Sequence, residues 1–170
     1  MTTTMKKLSI MPTILLTMLC WVSCKKKETA APTTTNWTIS ASDLAEANQA
    51  NGDITKQNDG PLVKYQVSTA YIQPLSGNTH VFKLYFTSQD SLTCYVEKLT
   101  QDFNYHSDAA SGQNKLAMVV FNQDTLQLKS SAISIQPRTD QNKFHTVSNL
   151  HSQSKGDYNG TVNEVPLIGQ

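Results

Sequence analysis

From Val63 to Tyr71 every second residue is apolar or β-branched (Val63, Tyr65, Val67, Thr69, Tyr71), with Lys64, Gln66 and Ser68 between them. An α-helix brings a face round every 3.6 residues and a strand every two. This segment can therefore bury one side only as a strand. The same period returns in Thr79 to Thr87, where Phe82, Leu84 and Phe86 share a face. It continues through Leu92, Cys94 and Val96 after the polar turn Ser88-Gln89-Asp90, which reads as a hairpin. Lys115 to Phe121 and Thr125 to Lys129 form a second hairpin around Asn122-Gln123-Asp124, with Leu116, Met118 and Val120 on one face and Leu126 and Leu128 opposite. Ile133 with Ile135, Phe144 to Leu150 and Tyr158 to Val165 supply three later strands.

Short strands separated by polar turns predict an all-β domain, an antiparallel meander forming a β-sandwich or a small barrel, with at most one short helix. Parallel sheets are disfavoured because they need crossover connections of about a dozen residues. One helix candidate exists, Ser42 to Ala50, in which Ser42 or Asp43 caps a run containing Leu44, Ala45, Glu46 and Ala47.

The N-terminal segment is of another kind. Lys6 and Lys7 precede an apolar stretch from Leu8 to Leu19, and small Ser23 stands before Cys24. This is the pattern of an export leader. It is too short and too interrupted, by Ser9, Pro12, Thr13 and Thr17, for a spanning helix, which needs about 20 apolar residues.

The stretch LCWVSCKKKE, Leu19 to Glu28, resembles the lipobox and lysine-rich start of Bacteroidota-type lipoproteins, with Trp21 where leucine is usual. The resemblance covers the leader alone. It implies a signal peptide over residues 1–23, acylation (palmitate) of Cys24 as the mature N-terminus, and a place on the outer membrane, facing either the periplasm or the cell exterior. Cys20, preceded by bulky Leu19, fits the pattern less well. Lys25 to Asn36 (KKKETAAPTTTN) is polar, threonine-rich and without apolar period, so residues 24–36 read as a lipid-anchored flexible tether and 37–170 as the β domain. The tail GDYNGTVNEVPL, from Gly156 to Leu167, resembles the closing strand of small uncharacterised β lipoproteins. Its Gly156 and Gly160 suit a turn or a bulge.

Charge and cysteine content narrow the chemistry. The whole chain carries +1, but from Trp37 onward nine Lys and Arg face twelve Asp and Glu, a net of −3 with Arg138 as the one arginine. Such a domain lacks the basic patch that nucleic acid requires. With Cys20 in the leader and Cys24 acylated, Cys94 is left without a disulfide partner and suits a small buried hydrophobe.

No catalytic, cofactor or metal signature stands out. His80, His106, His145 and His151 form neither HxH nor HExxH. His145 and His151, six apart on one strand, would stand roughly 20 Å from each other. Cys94, Met118 and a histidine resemble a blue-copper ligand set, but the compact C-terminal ligand loop of that family is missing. No GxSxG elbow is present, and Asp90, Asp102, Asp108, Asp124, Asp140 and Asp157 sit among turn residues.

One loop mixes aromatic and polar groups in the manner of a sugar-stacking or wet protein surface: Phe103, Tyr105, His106 and Asp108. The expected function is therefore non-catalytic, a cell-envelope lipoprotein serving as a binding or accessory module for a protein or glycan partner. The alternative is a lipocalin-like carrier of a small apolar ligand, whose mark would be a cavity above about 300 Å³.

Overall fold

The structure, a computed structural model, describes residues 39–97, 104–110, 112–138 and 142–169. The leader, Cys24, the tether and Phe103 lie outside the described residues. Strands β1 (Asn51–Gln57), β2 (Val63–Ser76), β3 (Thr79–Phe86) and β4 (Ser91–Glu97) follow one helix, α1 (Ala41–Ala47). Then come β5 (Asn104–His106), β6 (Lys115–Phe121), β7 (Asp124–Thr125), β8 (Ala132–Pro137), β9 (Lys143–Ser152) and β10 (Gly156–Pro166).

The sheet closes on itself. Its order is β4-β3-β2-β1-β10-β9-β8-β5-β6, and β6 pairs back with β4, so among the described residues nine strands make a closed barrel with β7 attached to β6. Closure satisfies the backbone groups that an edge strand would leave unpaired. Between a sandwich and a barrel, the barrel is the answer. It departs from a simple meander at one place: β6 lies between β4 and β5, and it meets β5 in parallel through His106 and Lys115.

The inner faces carry the core. Ile54, Val67, Ile72, Phe82, Leu84, Leu92, Cys94, Leu116, Val119, Ile133, Leu150 and Val162 belong to one contiguous buried cluster. Each large apolar side chain enclosed in this way contributes about 1.5–3 kcal/mol. The outer rows are polar, for example Lys64, Gln66 and Ser68 on β2 and Asp157, Asn159, Thr161 and Asn163 on β10. A membrane barrel shows the opposite distribution, with an apolar band outside. No helix among the described residues is long and apolar enough to cross a membrane.

Two expectations about which side chains share a face are corrected by β-bulges. On β2, Val67 pairs with Phe86 and Thr69 with Tyr85, so Ser68 is an extra residue. The inward set becomes Tyr65, Val67, Ala70 and Ile72, and Tyr71 turns outward to pack with Ala47 of α1 and Ile168. On β6 the pairs Tyr95 with Met118 and Val96 with Leu116 make Ala117 the extra residue. Leu116, Val119 and Phe121 therefore face the core, in place of Leu116, Met118 and Val120. Each bulge shifts the period by one residue, which reverses every side chain beyond it. A further irregularity lies on β10, where the register slips between Val162 and Val165 and Glu164 takes φ +58°. Its carboxylate is held there by Arg138 and Lys143.

Two further expectations change. The strand placed at Thr125 to Lys129 is only the two-residue β7 followed by an isolated bridge between Leu128 and Ser152. The helix starts two or three residues earlier than Ser42 or Asp43 as caps imply: Ser40 is the N-cap, and its hydroxyl accepts from the Asp43 N–H at 3.1 Å.

Candidate binding site at the barrel mouth

Strand β1 carries the residue that defines this site. Ile54 points into the barrel, so Lys56, two residues on, points the same way at the rim where β1 ends. Its Nζ lies 5.2 Å from the Tyr158 ring centroid and 5.3 Å from that of Phe121. These are cation–π distances. Phe121 and Tyr158 have centroids 5.1 Å apart, Tyr65 stands 5.4 Å from Phe121, and Phe86 stands 5.2 Å from Tyr65. Four aromatic rings from β2, β3, β6 and β10 thus line one end of the barrel, with an ammonium resting on two of them.

The turns around this end are tied together. Asn122, at φ +56°, donates from Nδ2 to Asp90 Oδ1 at 2.8 Å and accepts at Oδ1 from the Ser91 N–H at 2.8 Å. Ser88 donates to the other Asp90 oxygen at 2.8 Å. The hydrogen bonds from Asn122 and Ser88 hold the Asp90 carboxyl below its ordinary value. Lys155 pairs with Asp124 at 3.0 Å. Both nearby carboxylates are thus engaged, and among the described residues none lies within ion-pair distance of Lys56.

Tyr158 is 1% exposed and its hydroxyl is buried without a hydrogen-bond partner among the described residues. Burial raises its pKa, with Lys155 acting in the other direction. Tyr65 is raised in the same way, burial outweighing the pull of Lys56. Both phenols therefore stay neutral at physiological pH. The mouth thus holds donors on apolar walls: the Lys56 ammonium, the Tyr65 O–H and, enclosed behind them, the Tyr158 O–H.

Comparison of the chain with family models, curated proteins and solved structures finds no match. What the site can do has to come from its own residues. Beside the aromatic rim a polar cavity of about 800 Å³ opens between the β1–β2 turn and the β9–β10 turn, lined by Asn58, Asp59, Lys129, Gln153 and Asp157 among others. A smaller one, about 370 Å³, lies beside α1 at Gln49 and Lys143.

The residues singled out in the sequence do not gather. Tyr105 on β5 is fully enclosed in the core, whereas His106 and Asp108 are exposed outside the barrel. His145 and His151 both lie on β9 and face outward to different partners, Asn163 at 2.6 Å and Asp157 at 3.1 Å. Cys94 is fully buried, and burial pushes its thiol up to about 12. A neutral, enclosed thiol is no nucleophile.

Gly156 and Gly160 have structural work. Gly156 begins β10 at φ +88°, and a Cβ at Gly160 would come 2.0 Å from the Asp53 carbonyl oxygen. Sequence reasoning missed Lys56, Phe121 and Tyr158 as a group. The available signal was the two-residue spacing of Ile54 and Lys56, which has meaning only once β1 is known to be a strand.

Proposed function

We propose that the protein is a lipid-anchored envelope lipoprotein, acylated on Cys24, whose barrel is a non-catalytic binding module. The observation that carries this reading is the composition of the barrel mouth. A half-buried lysine, neutral phenols and aromatic walls have the make-up of a recognition site, and among the described residues no nucleophile is paired there with a base. The leader and tether add the anchor and the reach away from the bilayer.

A carrier of apolar ligands has less support. The closed barrel is compatible with such a carrier, but among the described residues its inward side chains pack into one contiguous cluster, and the two cavities described above are polar.

Protease shaving tests the placement. Full-length protein on intact cells is compared with detergent-opened cells and with a Cys24→Ala variant, following the β domain by immunodetection. Degradation on intact cells means an outward-facing module, and cleavage only after opening means a periplasmic one. Unchanged membrane retention of Cys24→Ala overturns the anchor.

A further inference from the structure

At the mouth of the barrel two hydrogen-bond donors, the Lys56 ammonium and the Tyr158 hydroxyl, stand on aromatic walls with no acceptor side chain bonded to them among the described residues, and that identifies what the mouth would take. Lys56 has the only inward-pointing ammonium on β1, and it sits over two rings instead of against a carboxylate. A lysine charge brought partly out of water without an anionic partner is costly, and cation–π contact returns only part of that cost. Beside it the Tyr158 hydroxyl is buried and unpartnered among the described residues. Buried hydroxyls are nearly always hydrogen-bonded, so an orphan of this kind marks a place where an acceptor belongs. The nearest acids, Asp90 and Asp124, have their hydrogen bonds and ion pair with other side chains, and neither is within ion-pair distance of Lys56. Both oxygens of Asp90 are held by Asn122 and Ser88, and Asp124 is held by Lys155.

We propose that the barrel mouth binds a monocarboxylate with an apolar body, its carboxylate accepting from Lys56 Nζ and the Tyr158 hydroxyl. One carboxylate offers two oxygens and about four lone-pair sites, enough for both donors. The lysine's flexible four-carbon stem allows its ammonium to shift toward a shared anion while the stem stays on the rings. The partly exposed rings of Phe121 and Tyr65 would receive the apolar body. This inference rests on the binding-module reading and gives its site a ligand class.

The test is calorimetric titration of full-length protein in a non-ionic detergent with benzoate, with benzamide as the uncharged counterpart and inorganic phosphate as the apolar-free anion. Benzoate is expected to bind, benzamide and phosphate at least about tenfold more weakly, since a hydrogen bond to a charged group is worth about one to two factors of ten. Lys56→Met keeps the apolar stem and is expected to weaken benzoate by about tenfold or more. Tyr158→Phe should weaken it about fivefold without lowering the melting temperature, because it removes a hydroxyl that the free protein leaves unbonded. A merely structural tyrosine would move the melting temperature and leave benzoate affinity alone.

Equal affinity for benzoate and benzamide, or unchanged benzoate affinity in Lys56→Met, overturns the proposal. Binding of a neutral oligosaccharide with no benzoate binding also overturns it while leaving the binding-module reading in place.

Discussion

Gly160 of β10 faces the backbone of Asp53 on β1 so closely that a β-carbon there would stand 2.0 Å from the Asp53 carbonyl oxygen and 2.8 Å from the Ile54 Cα. Backbone atoms on both sides of this contact belong to paired strands, so neither can retreat without breaking the β1–β10 ladder. Gly160→Ala is expected to cost about 2 kcal/mol or more, in the range where steric strain at a special backbone position falls. Urea unfolding would show it as a lower midpoint at unchanged slope.

Cys94 is a packing residue on β4, opposite Phe82 and Val119. In the native protein its thiol should resist a disulfide reagent such as Ellman's until the barrel unfolds, and urea should release full reactivity. Cys94→Ser buries a hydroxyl in the same apolar place and is expected to destabilise by about 1–3 kcal/mol. Cys94→Ala should cost less than that, and thermal melts of the two variants would compare them.

His80 on β3 is half-buried, and burial pulls its pKa below 6.5. The unfolded chain binds this proton more readily than the folded one, so stability rises with pH across that window. The contribution is fully present above the unfolded value near 6.5 and is lost as pH falls through the depressed folded value. Melting temperatures measured from pH 7.5 to pH 5 should fall, and His80→Gln should flatten the slope.

Ser40 caps α1, which lies outside the barrel on Tyr71 and Ile168. Ser40→Ala should cost about 1 kcal/mol locally. Hydrogen exchange is expected to speed up at the first-turn amides of α1 and to leave the strands β3 and β4 unchanged.

How much of this was legible in the sequence depends on where the two-residue period runs unbroken. Phe82, Leu84 and Phe86, and Leu92, Cys94 and Val96, alternate without a bulge and form the hairpin their pattern predicts. Tyr71 and Met118 were misplaced because Ser68 and Ala117 each insert one residue, and an alanine or serine in a bulge has the same letter as one in a regular strand. Strand β1, NGDITKQ, was invisible because Ile54 is its only large apolar residue. That omission also concealed the mouth. Lys56, Tyr65, Phe121 and Tyr158 come from four strands spread over 103 positions of chain, and only barrel closure through β10–β1 and β4–β6 brings them together.

The most direct test of the account as a whole is the intact mass of the protein recovered from membranes of cells expressing the full chain. The expected product is a mature chain that begins at acylated Cys24, lacks residues 1–23 and retains the whole β domain. A chain that keeps its leader, or an unmodified one beginning at another residue, would contradict it.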